Sequence, residues 1–356
     1  MPSETDFRFL RACRGLPVDR TPVWFMRQAG RYMSEYRAIR AHHTLLEICA
    51  QPELAAQVTL QPIQRLGVDA AILFADILLP LVPMGVNLEF VAGEGPVIHN
   101  PVRSAADVEA LRPVDPHESL AHVLEAVRLV RRELEGKTPL IGFAGAPFTL
   151  ASYLIEGGPS KNYLKTKTLM HSDPHTWHSL LDRLARVIAA YLAAQVEAGA
   201  QAVQLFDSWV GALPPDEYCR FVQPHSRAIF EALRPSGVPT IHFGTGTALL
   251  LPHMRAAGGD VIGVDWATPL DWAWNQLDYQ PAVQGNLDPA LLFAPLPVLE
   301  SKVADVLRRA NGRPGHIFNL GHGILPETPV DSVRRVVDWV HEMSYQAASI
   351  PQEQSI

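Results

Sequence analysis

Only three cysteines occur in 356 residues, Cys13, Cys49 and Cys219. An odd number at wide spacing provides neither a disulfide framework nor a CxxC metal knuckle, so no bound metal is expected and a reducing, cytoplasmic setting fits. Basic runs are missing too, and the formal net charge of −7 would repel a phosphate backbone, which excludes nucleic acid as a natural partner. The N-terminus, MPSETDFRFLRACRG, carries Glu4 and Asp6 and lacks the apolar stretch of a secretory signal. Low-complexity tracts, composition shifts and repeats of about 20 to 50 residues are absent, so neither a linker nor an array is indicated. One stretch without charge, TPLIGFAGAPFTLASYLI at 138–155, has 18 residues, near the lower limit for a membrane span. Pro139, Pro147, Gly142 and Gly145 make it a poor helix. It reads as a buried strand followed by a loop, and no membrane association is expected.

What is present is apolar material for a large core: 47% of residues are hydrophobic and 19% charged. Short runs rich in β-branched and aromatic residues recur between segments of helical periodicity, the pattern of a parallel sheet wrapped by helices. Eight candidate strands are found at 22–28, 70–76, 139–144, 202–208, 240–244, 261–266, 282–288 and 316–322. Helical faces are predicted at 54–67, 119–136, 175–199 and 329–343, with Gly67, Gly136 and Gly199 placed to end three of them. The segment VNLEFVAGEGPVIHNPV reads as a hairpin interposed between the second and third strands. The expectation is an α/β fold, a single-domain (β/α)8 TIM barrel over residues 1–356, with the inserted hairpin after strand 2. Residues 1–20 and the last dozen are expected to be peripheral.

Barrels of this kind carry their chemistry at the C-terminal ends of the strands. There the predicted strands present Arg27 and then Arg31, Asp76, Asp207 with Ser208, and His322 between Gly321 and Gly323; Tyr153 falls in the loop region after the third. Arg27 and Arg31 are one helical turn apart with Gly30 between them, so both guanidinium forks can face one cavity and bind carboxylates. The alternative is a pair of surface salt bridges, for instance to Glu35. Asp76 ends an apolar run, an expensive place for a carboxylate without donors, unless it caps a helix. The same capping alternative applies to Asp207 and Ser208. Tyr153 alone could be a core aromatic with its hydroxyl satisfied, whereas the two glycines beside His322 favour an exposed ring. Gly244-Thr245-Gly246 fails as a dinucleotide loop because Leu249 occupies the third glycine position. His242 and Cys219 lack a metal-ligand spacing, and Trp209, Trp266, Trp272 and Trp274 read as core or rim aromatics.

PVWFMRQAGRYMSEYR, AAILFADIL, GFAGAPFTLASYLIEGG, LFDSWVGAL, QGNLDP and FNLGHGI, in that order across nearly the whole chain, resemble the uroporphyrinogen decarboxylase family of tetrapyrrole biosynthesis. The resemblance implies a single barrel acting as a homodimer, which converts the four acetate side chains of uroporphyrinogen III to methyl groups without a cofactor. It implies carboxylate contacts from Arg27 and Arg31 with the intervening Gln28, Ala29 and Gly30, and pyrrole N–H contacts from Asp76. Tyr153, Ser208 and His322 are further implied substrate contacts, and Asp76, Arg27 and Tyr153 form the implied catalytic set. Arg37 and His322 could add to a positive mouth for a polyacid substrate. Related barrels that transfer methyl groups on zinc would want a cysteine shortly after His242, where Gly244 stands.

Overall fold

The computed structural model describes residues 7–344 apart from 92 and 94. Residues 1–6, with Glu4 and Asp6, and the expected peripheral dozen at 345–356 lie outside the described residues. Seven parallel strands form one curled sheet, each paired with the next in chain order. They are β1 (Ala71–Ile72), β4 (Leu140–Gly145), β5 (Ala202–Asp207), β6 (Thr240–Gly244), β7 (Val261–Gly263), β8 (Ala282–Gln284) and β9 (His316–Ile317). A separate antiparallel ladder, β2 (Leu88–Val91) with β3 (Gly95–Ile98), lies between β1 and β4 in the chain.

The two edges of the sheet are joined by residues 22–24. Phe318 N–H donates to Pro22 O at 2.8 Å and Trp24 N–H to Phe318 O at 3.3 Å, while Asp69 N–H donates to Val23 O at 2.8 Å. The Asp69 carboxylate reinforces this seam. It accepts the Val23 N–H at 2.8 Å and Arg8 at 2.6 Å, and lies 2.7 Å from His341 Nε2. The expected first strand is thus a single bridge at Val23, giving seven strands where eight are predicted. Pro22 has no N–H to extend a ladder, and the chain turns away at Arg27, whose φ is +60°. The last three strands are also shorter than expected, since side chains hold the loops beyond them: Asn286 Nδ2 donates to Asp265 O and Thr268 O at 2.8 and 2.6 Å.

Helices Pro52–Leu66, Ala121–Glu133, Pro174–Ala198 and Val330–Met343 cover the sheet where periodicity places them. Gly67 caps the first at φ +72°, the left-handed residue that closes a helix, whereas Gly136, also left-handed at +67°, lies two residues beyond the C-cap Leu134 of the second. The stretch 138–155 corrects the sequence reading: after β4 it forms the helix Pro147–Glu156, not a loop. Pro147 stands at the start of that helix, where a missing N–H costs nothing, and Gly157 in left-handed conformation ends it. The six β4 residues are all buried. The apolar core divides into two packed clusters, one around Trp177, Leu180 and Tyr191 of the long helix, the other around Trp24, Trp274 and Phe318. No described helix is long and apolar enough to cross a membrane.

Candidate active site

A cavity of about 570 Å³ opens over the C-terminal ends of the strands. Arg27, Gln28, Ala29, Gly30, Arg31, Asp76, Tyr153, Ser208 and His322 all line it. Four separate chain segments and one helix bring these nine residues together. Phe143, Phe206 and Phe243, from the adjacent strands β4, β5 and β6, give it an aromatic floor.

The arginines arrive on a turn after the Val23 bridge. Gln28 fixes that turn: its Oε1 accepts the Phe25 N–H at 3.1 Å and its Nε2 donates to Ala70 O at 3.1 Å. Both polar ends of the Gln28 side chain therefore serve the scaffold. Tyr32 donates to Gln28 O at 2.6 Å, and Arg37 donates to the carbonyls of Arg31 and Tyr32, each at 2.9 Å. Arg37, expected to charge the mouth, is instead a brace behind it and does not line the cavity.

The salt-bridge alternative for the two forks does not describe this geometry. Glu35 lies 3.7 Å from Arg65. Among the described residues neither guanidinium, of Arg27 or of Arg31, enters an ion pair, and both residues are exposed. Two unpaired forks at a cavity rim are suited to carboxylates, which accept paired donors in one plane.

Asp76 sits deeper. One carboxylate oxygen accepts the Leu78 N–H at 2.8 Å, a local turn of the kind Asp favours. The helical turn that follows, Leu79–Leu81, takes no side-chain cap, so Asp76 lines the cavity without capping a helix. Burial pushes the Asp76 carboxyl up from its ordinary range, opposed by the Leu78 N–H and the positive field of Arg27. Arg27 acts here through space, without an ion pair.

Tyr153 lies on the helix Pro147–Glu156, not in a loop. Its ring packs on Trp209 with centroids 4.0 Å apart. Burial, and then Asp76, raise its hydroxyl well above the ordinary phenol value, so it is a neutral hydrogen-bonding group. Ser208 caps no helix by its side chain, and its carbonyl accepts the Thr245 hydroxyl. Asp207 caps none either: it is fully buried and accepts the Thr149 hydroxyl at 3.0 Å.

His322 differs from expectation. The ring is half-buried, edge-on to Trp266 with centroids 6.0 Å apart. Its flanking glycines make room for neighbours: a Cβ at Gly321 would meet Trp266 N at 2.0 Å, and one at Gly323 would meet Arg27 Cδ at 2.4 Å. Burial and Arg27 push the His322 pKa down to about 4, so at neutral pH it offers hydrogen bonds and no positive charge. Elsewhere, Cys219 Sγ lies 3.2 Å from His253 Nδ1. Among the described residues no three His, Cys, Asp or Glu side chains converge as a metal site.

Sequence profiles decide the family. The profile of the uroporphyrinogen decarboxylase (URO-D) family matches residues 4–343. The chain belongs to the uroporphyrinogen decarboxylase family. It is 65% identical over 336 residues to a uroporphyrinogen decarboxylase of Sorangium cellulosum, covering 94% of this chain and 96% of that protein. It is 57% identical over 335 residues to one of Thermus thermophilus, covering 94% and 97%. Among solved structures, a methyltransferase from Methanosarcina mazei superposes with a TM-score of 0.80 at 21% identity, covering 94% of this chain and 98% of that one. At that identity the likeness extends to the fold alone.

Several wall residues of this family member escape a reading of the sequence. Thr149, Tyr36, Phe74 and Phe90 all line the cavity. Thr149 has one available signal, its place four residues before Tyr153 in PFTLASY, one turn away on the same helix face.

Proposed function

We propose that the cavity binds uroporphyrinogen III and releases the carboxyl groups of its four acetate arms as CO2, leaving methyl groups and hence coproporphyrinogen III. The observation that carries this reading is the vertical order of charge: a half-buried Asp76 inside the cavity, with the exposed, unpaired guanidiniums of Arg27 and Arg31 at the rim. A cyclic polyacid with N–H donors at its centre and carboxylates at its periphery has the complementary layout.

In each cycle the α-carbon of a pyrrole accepts a proton and the ring becomes cationic. The C–C bond to the carboxylate then breaks, its electron pair neutralises the ring, and CO2 leaves; a second proton on the exocyclic carbon, with loss of the first, yields the methyl group. The net change per arm is uptake of one proton and loss of one CO2. The substrate ring is its own electron sink, so the scheme uses neither pyridoxal nor a metal. Asp76 accepts the pyrrole N–H bonds and stabilises the cation by its charge, in a water-poor setting where that interaction is strengthened. Arg27 and Arg31 hold substrate carboxylates, with Gln28, Ala29 and Gly30 contributing backbone surface. Tyr153 acts beside Asp76 as a neutral donor to the substrate, and Ser208 and His322 complete the contacts. Arg27, Asp76 and Tyr153 are the catalytic set.

The chain is read as a single TIM-barrel unit, with β2 and β3 as an insertion after its second strand, working as a cytoplasmic homodimer. The three free thiols suit a reducing compartment. An anaerobic assay with uroporphyrinogen, resolving oxidised products by carboxyl number, tests the reading. Stepwise appearance of seven-, six-, five- and four-carboxyl species is expected, and folded protein that leaves all eight carboxyls in place refutes it.

A further inference from the structure

Asp207, the last residue of β5, is fully buried, and the chemistry above makes no use of it. Its Oδ1 accepts the Thr149 hydroxyl at 3.0 Å, and Thr149 Oγ1 in turn receives the Trp209 N–H at 3.3 Å. A hydroxyl has one proton. With its oxygen taking the Trp209 N–H, Thr149 commits that proton to Asp207, so the chain runs in one direction from Trp209 through Thr149 to Asp207. The second carboxylate oxygen, Oδ2, is buried without a partner among the described residues. The Tyr218 hydroxyl, which lies within the electrostatic reach of Asp207, is buried and unpartnered as well.

The residues tied by this chain are neighbours of the site. Thr149 precedes Tyr153 by one turn on the helix Pro147–Glu156. Asp207 and Trp209 flank Ser208 in sequence. Above them the rings of Tyr153 and Trp209 pack at 4.0 Å with 31° between their planes. Two clasps, one polar and buried, one aromatic and in the cavity wall, join the same helix to the same loop. An apolar pair would fill the buried position without the desolvation cost of a carboxylate. A directional hydrogen bond provides what packing alone does not, a fixed register between the two segments.

We propose that Asp207 is a positioning residue of this active site: through Thr149 it fixes the Pro147–Glu156 helix against residues 208–209 and thereby sets Tyr153 and Ser208 toward the substrate. The inference rests on the decarboxylase reading for its kinetic arm alone. The experiment compares wild type with T149V, T149S, D207N and the double variant T149V/D207N, by steady-state turnover of uroporphyrinogen and by amide hydrogen exchange on the ligand-free protein. T149V should lower kcat roughly 10- to 100-fold, the scale of a small misplacement of reacting groups. KM should change little because Arg27 and Arg31 are untouched. T149S, which restores the hydroxyl, should recover most of that loss. The double variant should fall no further than the worse single one, since both changes break one linkage. Exchange should rise in T149V and D207N across 147–157 and 208–212 relative to the other strands. Unchanged kcat in T149V, or multiplied losses in the double variant, would overturn the proposal. The exchange arm decides independently of the reaction: equal protection in wild type and variants refutes the clasp even if uroporphyrinogen is not the substrate. A wild type that leaves uroporphyrinogen intact while exchange rises in the variants refutes the decarboxylase reading and leaves the clasp standing.

Discussion

The Gly323 backbone passes so close to the Arg27 side chain that an added Cβ would stand 2.4 Å from Arg27 Cδ and 2.7 Å from Cγ. Arg27 itself occupies a left-handed backbone conformation at φ +60°, which costs an L-residue about 1–2 kcal/mol. The turn braced by Gln28 and the gap left by Gly323 together hold a strained arginine at the rim. Gly323→Ala should therefore push the guanidinium from its place and weaken carboxylate binding by roughly 10- to 100-fold, the worth of a hydrogen bond to a charged group. The increase should appear in KM, and should approach that of Arg27→Ala. Wild-type KM in the Gly323→Ala protein would show that the fork tolerates displacement.

Asp76→Asn keeps the shape of the side chain and removes its charge. With charge stabilisation as its role, kcat should drop by roughly 10²- to 10³-fold, as for loss of one preorganised electrostatic group. The pH dependence has a definite sign. Burial raises the Asp76 carboxyl above its ordinary range, so the active carboxylate is lost as pH falls through that raised value. Wild-type kcat/KM should carry an acid limb displaced upward from an ordinary carboxylate, and the Asn variant should lack it. Persistence of the same limb in Asp76→Asn would assign it to another group.

Much of this site is legible in the sequence because barrel chemistry collects at strand ends. Arg27, Asp76 and Ser208 need only the position where an apolar run stops. Tyr153 falls in a loop when prolines and glycines count as helix breakers, whereas Pro147 and Gly157 bound a helix from outside its hydrogen-bonded interior. The glycines around His322 suggest freedom for the ring, and they are instead space for Trp266 and Arg27. That distinction depends on which distant segment approaches, and local sequence carries no record of it. The first strand fails for a similar reason: its apolar run is real, but its partner at Phe318 is far away in the chain, and Pro22 withholds the donor that would extend the ladder.

The Asp69 seam offers a stability test remote from the chemistry. Its carboxylate, almost wholly buried, gathers Arg8, the Val23 N–H and His341 from three segments that close the sheet. Asp69→Ala leaves the Val23 N–H and the His341 imidazole without this acceptor, and leaves Arg8 with Asp19 alone. A loss on the order of 3 kcal/mol is expected, the scale for breaking a buried charged network from one side. Urea unfolding should show a lower midpoint with an unchanged slope, since the surface exposed on unfolding is the same. A midpoint equal to wild type would mean that water replaces the carboxylate at no cost.

Asp207 gives stability its own pH dependence. Burial pushes its carboxyl up to about 7, with the Thr149 hydroxyl opposing the shift. An unfolded chain would release that proton near pH ~4. The folded protein therefore binds more protons than the unfolded one between those values, and the stability this contributes is complete at low pH and lost as pH rises toward 7. Each pH unit within the window removes up to about 1.4 kcal/mol. Thr149 is uncharged and Tyr218 is held well above its ordinary value, so neither titrates there. Asp207→Asn removes this one titration: measured at a series of pH values from about 4 to 8, the stability of wild type relative to the variant should fall steadily and then level off near 7. Parallel curves would mean that Asp207 ionises in the fold as readily as in water, and that its buried oxygen has found a donor.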